Sequence, residues 1–148
     1  YVTEDGAILT YEPEKYNLDM ICMGRTALRL FKATGEAKYE KACRRLIEQI
    51  KGQPTTAEGG FWHKKLYPQQ MWLDGIYMAC PFLTEFAVTF GEMQWADLAA
   101  KQMELIFEKT RLESGLHAQR GTVRKRRSGP IRGRDFPRTS GDARWAGL

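Results

Sequence analysis

From Leu18 to Arg111 the apolar positions follow two helical rhythms that alternate and then repeat. Tyr39, Ala42, Cys43, Leu46, Ile47 and Ile50 recur at three-and-four spacing with Glu40, Lys41, Arg44, Arg45 and Glu48 opposite, which predicts an amphipathic helix lying over a core. Met71, Trp72, Leu73, Ile76, Tyr77, Met78, Phe82, Leu83 and Phe86 leave no continuous polar face and predict a helix buried on most sides. The stretches "LDMICMGRTALRLFKATGEAKYEKA" and "LDGIYMACPFLTEFAVTFGEMQWADLA" align. Leu18-Asp19 falls on Leu73-Asp74, Ile21 and Met23 on Ile76 and Met78, Phe31 on Phe86, Gly35-Glu36 on Gly91-Glu92, and Tyr39 on Trp95. The period is about fifty-five residues with one single-residue slip.

An inner helix followed by an outer one, twice over, is the unit of an α/α toroid. A tetratricopeptide-type array is the rival, with a period of about 34 residues and shorter helices. Gly35 and Gly91 stand where a helix C-terminus takes a left-handed residue, and Pro68 suits the first turn of the helix expected after it. Between the copies, "GQPTTAEGGFWHKKLYP" reads as a loop with a short extended piece at Phe61 to Tyr67. In a toroid such loops frame the mouth of the cavity, and His63 is on this one.

The 148 residues carry a net charge of +5, which invites a nucleic-acid reading until the charges are located. Ala118 to Leu148 holds nine Lys/Arg against two Asp/Glu, a net +7, and leaves −2 for residues 1 to 117. The body is mildly acidic, and the basicity is all in the tail. No apolar run is long enough to span a membrane. Cys22, Cys43 and Cys80 are odd in number and set among apolar residues, which fits reduced core packing and favours a cytoplasmic setting. With no initiator methionine before Tyr1, the chain reads as an internal fragment.

Asp74 is the only formal charge between Lys65 and Glu85 and is expected about two turns into the apolar helix. Buried there, its carboxyl would be raised toward the range of a general acid, although a hydrogen-bonded core aspartate would leave the same pattern. Asp19 holds the equivalent place in the first copy, so the two inner helices can present two carboxylates to one cavity; a helix-capping aspartate is the alternative. His63 can orient a carboxylate or contact a sugar acid, and it can also be merely exposed on its loop. Trp62, Tyr67, Trp72 and Tyr77 surround the second aspartate in sequence, as stacking surfaces for a sugar or as core. No metal-ligand spacing, Gly-rich phosphate loop or nucleophile elbow is present.

The segment "GGFWHKKLYPQQMWLDGIYMACPFLTEFA", with "YNLDM" and "GR" before it, resembles the unsaturated rhamnogalacturonyl hydrolases of glycoside hydrolase family 105, relatives of the unsaturated glucuronyl hydrolases of family 88. The resemblance runs from about Tyr11 to His117. It implies an all-α, (α/α)6 barrel, of which residues 1 to 117 would be part, and hydrolysis of unsaturated uronyl oligosaccharides without metal or organic cofactor. It implies that Asp74 protonates the C4=C5 double bond and activates water toward C5. The hydrated sugar then rearranges and expels its neighbour, typically rhamnose. Asp19 matches the second active-site aspartate and His63 a substrate-contacting histidine; Trp62, Trp72 and Tyr77 complete the candidate substrate contacts.

After "GLH" the family pattern calls for a histidine, a "WD" pair, "WAD" and "TG.SP.FWGRAMGW", and residues 118 to 148 depart from it. We expect this stretch to be a non-native or disordered basic tail produced by loss of one nucleotide near Ala118-Gln119. Asp142-Ala143-Arg144-Trp145-Ala146 can be encoded so that the shifted frame reads Cys-Ala-Met-Gly-Trp, and Gly133 to Gly141 so that it reads Thr-Gly-Phe-Ser-Pro-Asn-Phe-Trp-Gly. Resequencing the coding DNA decides between this and a genuine extension. Two rival functions remain: a helical repeat with a nucleic-acid-binding basic tail, and a bare repeat that docks a protein. The hydrolase reading leads, with an oligosaccharide as its partner and neither nucleic acid nor membrane.

Overall fold

The computed structural model describes residues 1–122. Four helices form two successive hairpins: α1 (Met23–Thr34) with α2 (Ala37–Gly52), and α3 (Leu73–Phe90) with α4 (Gln94–Thr110). The first inner helix is preceded by a 3-10 turn over Leu18–Cys22. Both inner helices end on the predicted glycines, and Gly35 and Gly91 share a φ of 71°. A side chain would be strained in that left-handed backbone, so the two reversals need glycine.

The inner helices α1 and α3 pack on one another and the 3-10 turn packs on α3, while α2 covers α1 and α4 covers α3. Gly24 makes the inner crossing possible, because any Cβ there would run into the Phe82 ring. Phe82, Phe86, Leu28, Leu46 and Leu83 are fully buried between the layers. Each such side chain contributes about 1.5–3 kcal/mol. The amphipathic reading of α2 holds: Ala42, Cys43, Leu46, Ile47 and Ile50 are buried and the charged residues face outward. All three cysteines are free, with Cys43 and Cys80 buried. This is a fragment of a helical barrel of inner and outer helices. Among the described residues no helix is long and apolar enough to cross a membrane.

The expected start of the second inner helix needs correction. Met71 and Trp72 are not in the inner helix but in a strand, β1 (Gln70–Trp72), paired antiparallel with β2 (Arg120–Thr122). Pro68 therefore lies in the turn before β1 rather than in a helical turn, and the extended piece falls at 70–72 rather than 61–67. As expected, α3 is covered along most of its faces, with Tyr77 and Val88 on one stripe left 64% and 69% exposed. At the tail boundary expected at Ala118 the described residues continue to 122: Ala118 N–H donates to Thr110 O, Leu73 N–H donates to Gln119 O, and β2 follows. The rest of the expected tail lies outside the described residues.

Candidate active site

Asn17 prepares the first site residue. Its backbone is extended and its side-chain oxygen accepts the Asp19 N–H at 3.0 Å, capping the 3-10 turn. Asp19 is thus the capped residue and not the cap, which leaves its carboxylate for other partners. Lys64 Nζ lies 2.7 Å from Asp19 Oδ2, and His63 Nε2 lies 3.6 Å from Oδ1.

Asp74 is the second residue of α3, in the first turn rather than two turns in, and half-buried rather than enclosed. A carboxylate at a helix N-terminus is favoured by the unpaired N–H groups there, by about 0.3–1 kcal/mol. No ion pair engages Asp74 among the described residues.

His63 joins the two aspartates. It is not an exposed loop histidine: only 1% of its surface is accessible. Its N–H donates to Gln70 O at 2.8 Å and its carbonyl accepts from Leu18 N–H at 3.0 Å, so backbone bonds fix the residue from both sides. Its ring stacks on Trp72 at 4.4 Å, and Trp72 stacks on Tyr67 at 5.1 Å. Gly75 admits this packing, since a Cβ there would come within 2.6 Å of His63 Nδ1 and 3.0 Å of Leu18 Cδ1. Burial pushes the His63 imidazole below the ordinary histidine value, with Lys64 adding to the effect and Asp19 and Asp74 opposing it. Near neutral pH the ring is uncharged.

Asp19, His63 and Asp74 each bring one ligand atom to within 4.8 Å of the others. Such a cluster can share protons or hold a cation, and the Lys64 ammonium already supplies a positive charge on Asp19. Asp19 Oδ1 and His63 Nδ1 are buried without a hydrogen-bond partner among the described residues. An unsatisfied buried polar atom costs about 1–3 kcal/mol. Of the two, His63 Nδ1 packs directly against Gly75 at the start of α3.

The structure therefore brings together four of the six predicted residues, Asp19, His63, Trp72 and Asp74. Trp62 is half-buried on the same loop but outside the ring stack, and its Nε1 has no partner among the described residues. Tyr77 is exposed one turn along α3 from Asp74. Sequence reasoning missed the supports. Gln102 of α4, fully buried, accepts from Phe61 N–H at 2.7 Å and donates to Gly59 O at 2.9 Å, and Gln49 and Gln53 of the α2 end are buried as well. The signal was a glutamine within each buried stripe: Trp95, Ala99, Gln102 and Ile106 on α4, and Leu46, Gln49, Ile50 and Gln53 along α2 and its cap.

A comparison with known families decides what this arrangement belongs to: the model of Glycosyl Hydrolase Family 88 matches residues 2–129. The chain belongs to glycosyl hydrolase family 88. Its backbone is also similar to that of a family 105 glycoside hydrolase from C. acetobutylicum ATCC 824, with a TM-score of 0.77 and 38% identity. That likeness covers 81% of this chain and 34% of the other, so the chain spans about a third of that relative. The Asp19, His63 and Asp74 cluster of this family 88 chain is a hydrolase site candidate with both carboxylates in reach of one bound group.

Proposed function

We propose that this site hydrates the C4=C5 double bond of an unsaturated uronyl residue at the end of a rhamnogalacturonan-type oligosaccharide. The observation that carries the reading is the unequal setting of two carboxylates that share one cluster: Asp19 is committed to Lys64, and among the described residues Asp74 has no cation beside it. Asp74 is then the group that delivers a proton to C4 and takes one from the water that adds at C5. Asp19 and the neutral His63 orient the sugar and that water. The hydrated ring opens and releases its neighbour, with no attack at the anomeric carbon, unlike an ordinary two-carboxylate glycosidase. Trp72 and Tyr67 supply an aromatic wall for the sugar.

Turnover requires the hairpins beyond this segment, because Tyr77, Val88, Met103 and Phe107 leave apolar surface on α3 and α4 uncovered within the described residues. The test is an assay of the complete enzyme on unsaturated galacturonyl-rhamnose and unsaturated glucuronyl disaccharides side by side, following the ultraviolet absorbance of the double bond. Loss of absorbance with preference for the rhamnose conjugate is expected. Activity only on saturated glycosides overturns the reading.

A further inference from the structure

Two chain segments carry the site, one ending in Asp19 and one in His63, and they are far apart in sequence. They run side by side: Leu18 N–H donates to His63 O at 3.0 Å and Lys65 N–H to Lys15 O at 3.2 Å. Behind them lies the end of outer helix α2. Gln53, its C-cap residue, is 5% exposed, and its Nε2 donates both to Tyr16 O at 2.9 Å and to Trp62 O at 2.8 Å. One amide thus grips the carbonyl three residues before Asp19 and the carbonyl immediately before His63. Gln49, one turn earlier and 3% exposed, donates to Asn17 O at 3.2 Å and to Gln53 Oε1 at 3.2 Å. Asn17 is the residue that caps Asp19. Gly52, the last residue of α2 and the one before Gln53, is pressed on by the same segment, since a Cβ there would lie 3.0 Å from Tyr16 Oη.

We infer that Gln53, backed by Gln49, is a positioning residue that sets the spacing of Asp19 and His63 from the outer layer of the fold. The physical reason is that both grips end on backbone carbonyls, which cannot turn away as side chains can. Asp19 Oδ1 and His63 Nε2 sit 3.6 Å apart with no direct hydrogen bond to define that distance. The backbone bonds between the segments align them, and Gln53 is a buried side chain that bonds to both, with Gln49 bonding to the Asp19 side and to Gln53 itself. The inference rests on the reading of this cluster as the active site, but its first readout does not depend on turnover.

The test uses Gln53→Met in the 148-residue chain, which keeps side-chain length and volume and removes both donors. The chain has two histidines, so the His63 ring is assigned in proton NMR by comparison with a His117→Gln chain. With helical circular dichroism retained, Gln53→Met is expected to move the His63 titration up toward the ordinary histidine value as the loop loosens. Exchange of the Leu18 amide, which reports the bond between the two segments, is expected to quicken by about tenfold. Ile47→Val weakens the packing of α2 without removing a hydrogen bond to either segment and should leave both readouts unchanged. In the complete enzyme, kcat for Gln53→Met should fall by about tenfold or more with KM nearly constant, because a misplaced catalytic group slows the chemical step.

A folded Gln53→Met chain with wild-type titration and exchange overturns the inference, as does an equal shift from Ile47→Val. If Gln53→Met does not fold, Gln49→Met is read the same way, with a smaller shift expected and no shift contradicting the proposal. The expected changes in titration and exchange with an unchanged kcat would instead count against the site assignment itself.

Discussion

The two hairpins begin their inner helices with the same dipeptide, Leu18-Asp19 and Leu73-Asp74, and place them in different chemical settings. The first start is a 3-10 turn capped by the Asn17 side chain, with Leu18 fully buried. The second comes straight from strand β1, with Trp72 at the N-cap and no side-chain cap. The loop between the hairpins then returns across the first start and gives Asp19 the Lys64 ammonium, while among the described residues Asp74 takes only the end of its own helix. A repeat sets two carboxylates at equivalent positions of a symmetric scaffold. Local capping and one loop make them unequal, and unequal carboxylates are what acid–base chemistry requires.

The largest test of that inequality is Asp74→Asn in the complete enzyme. An amide keeps the shape and cannot transfer the proton, so kcat should drop by about 10³-fold with the fold and KM preserved. Steady-state kinetics on an unsaturated rhamnogalacturonyl disaccharide measure it, and near-normal activity would erase the distinction between the two aspartates. A smaller loss is expected from Gly75→Ala. The new methyl meets His63 Nδ1 and Leu18 and must push the α3 start away from the Asp19 side. Such overpacking costs about 1–3 kcal/mol of stability. Displacement approaching 1 Å should lower kcat by roughly 100-fold. Denaturant unfolding and kinetics on one preparation check both numbers.

The smallest effect concerns pH. His63 titrates below its ordinary value when folded and at about 6.5 when unfolded, so the unfolded chain binds the proton more readily. Its contribution to stability is full above the unfolded value and is lost as pH falls through the folded one. Between pH 7.5 and 5 the thermal midpoint of the native chain should therefore fall further than that of a His63→Gln chain, by roughly 2–4 °C. Parallel curves would mean that His63 is not held neutral.

Much of this was legible from residue pattern. The repeat offset fixed the pairing of Asp19 with Asp74, the glycines at 35 and 91 fixed the helix ends, and the three-and-four spacing of α2 fixed its buried face. The start of α3 was not legible. Met71 and Trp72 continue the apolar pattern of the helix, and only pairing with residues 120–122, some fifty positions later, draws them into a strand. The buried glutamines were hidden for a related reason. A glutamine on a helix normally faces water, and Gln49, Gln53 and Gln102 are recognisable as internal struts only once the backbone groups they bind are in place. His63 was underweighted because its burial comes from Trp72 and Gly75, neither of which the loop sequence reveals.

The central claim, that protonation at C4 and not displacement at the anomeric carbon is the chemistry of this cluster, is tested most directly by turnover of the complete enzyme in deuterium oxide. The account predicts one deuterium fixed at C4 of the released uronic acid, and none there when Asp74 is asparagine and turnover stops. Product formed at full rate with no deuterium at C4 would contradict it.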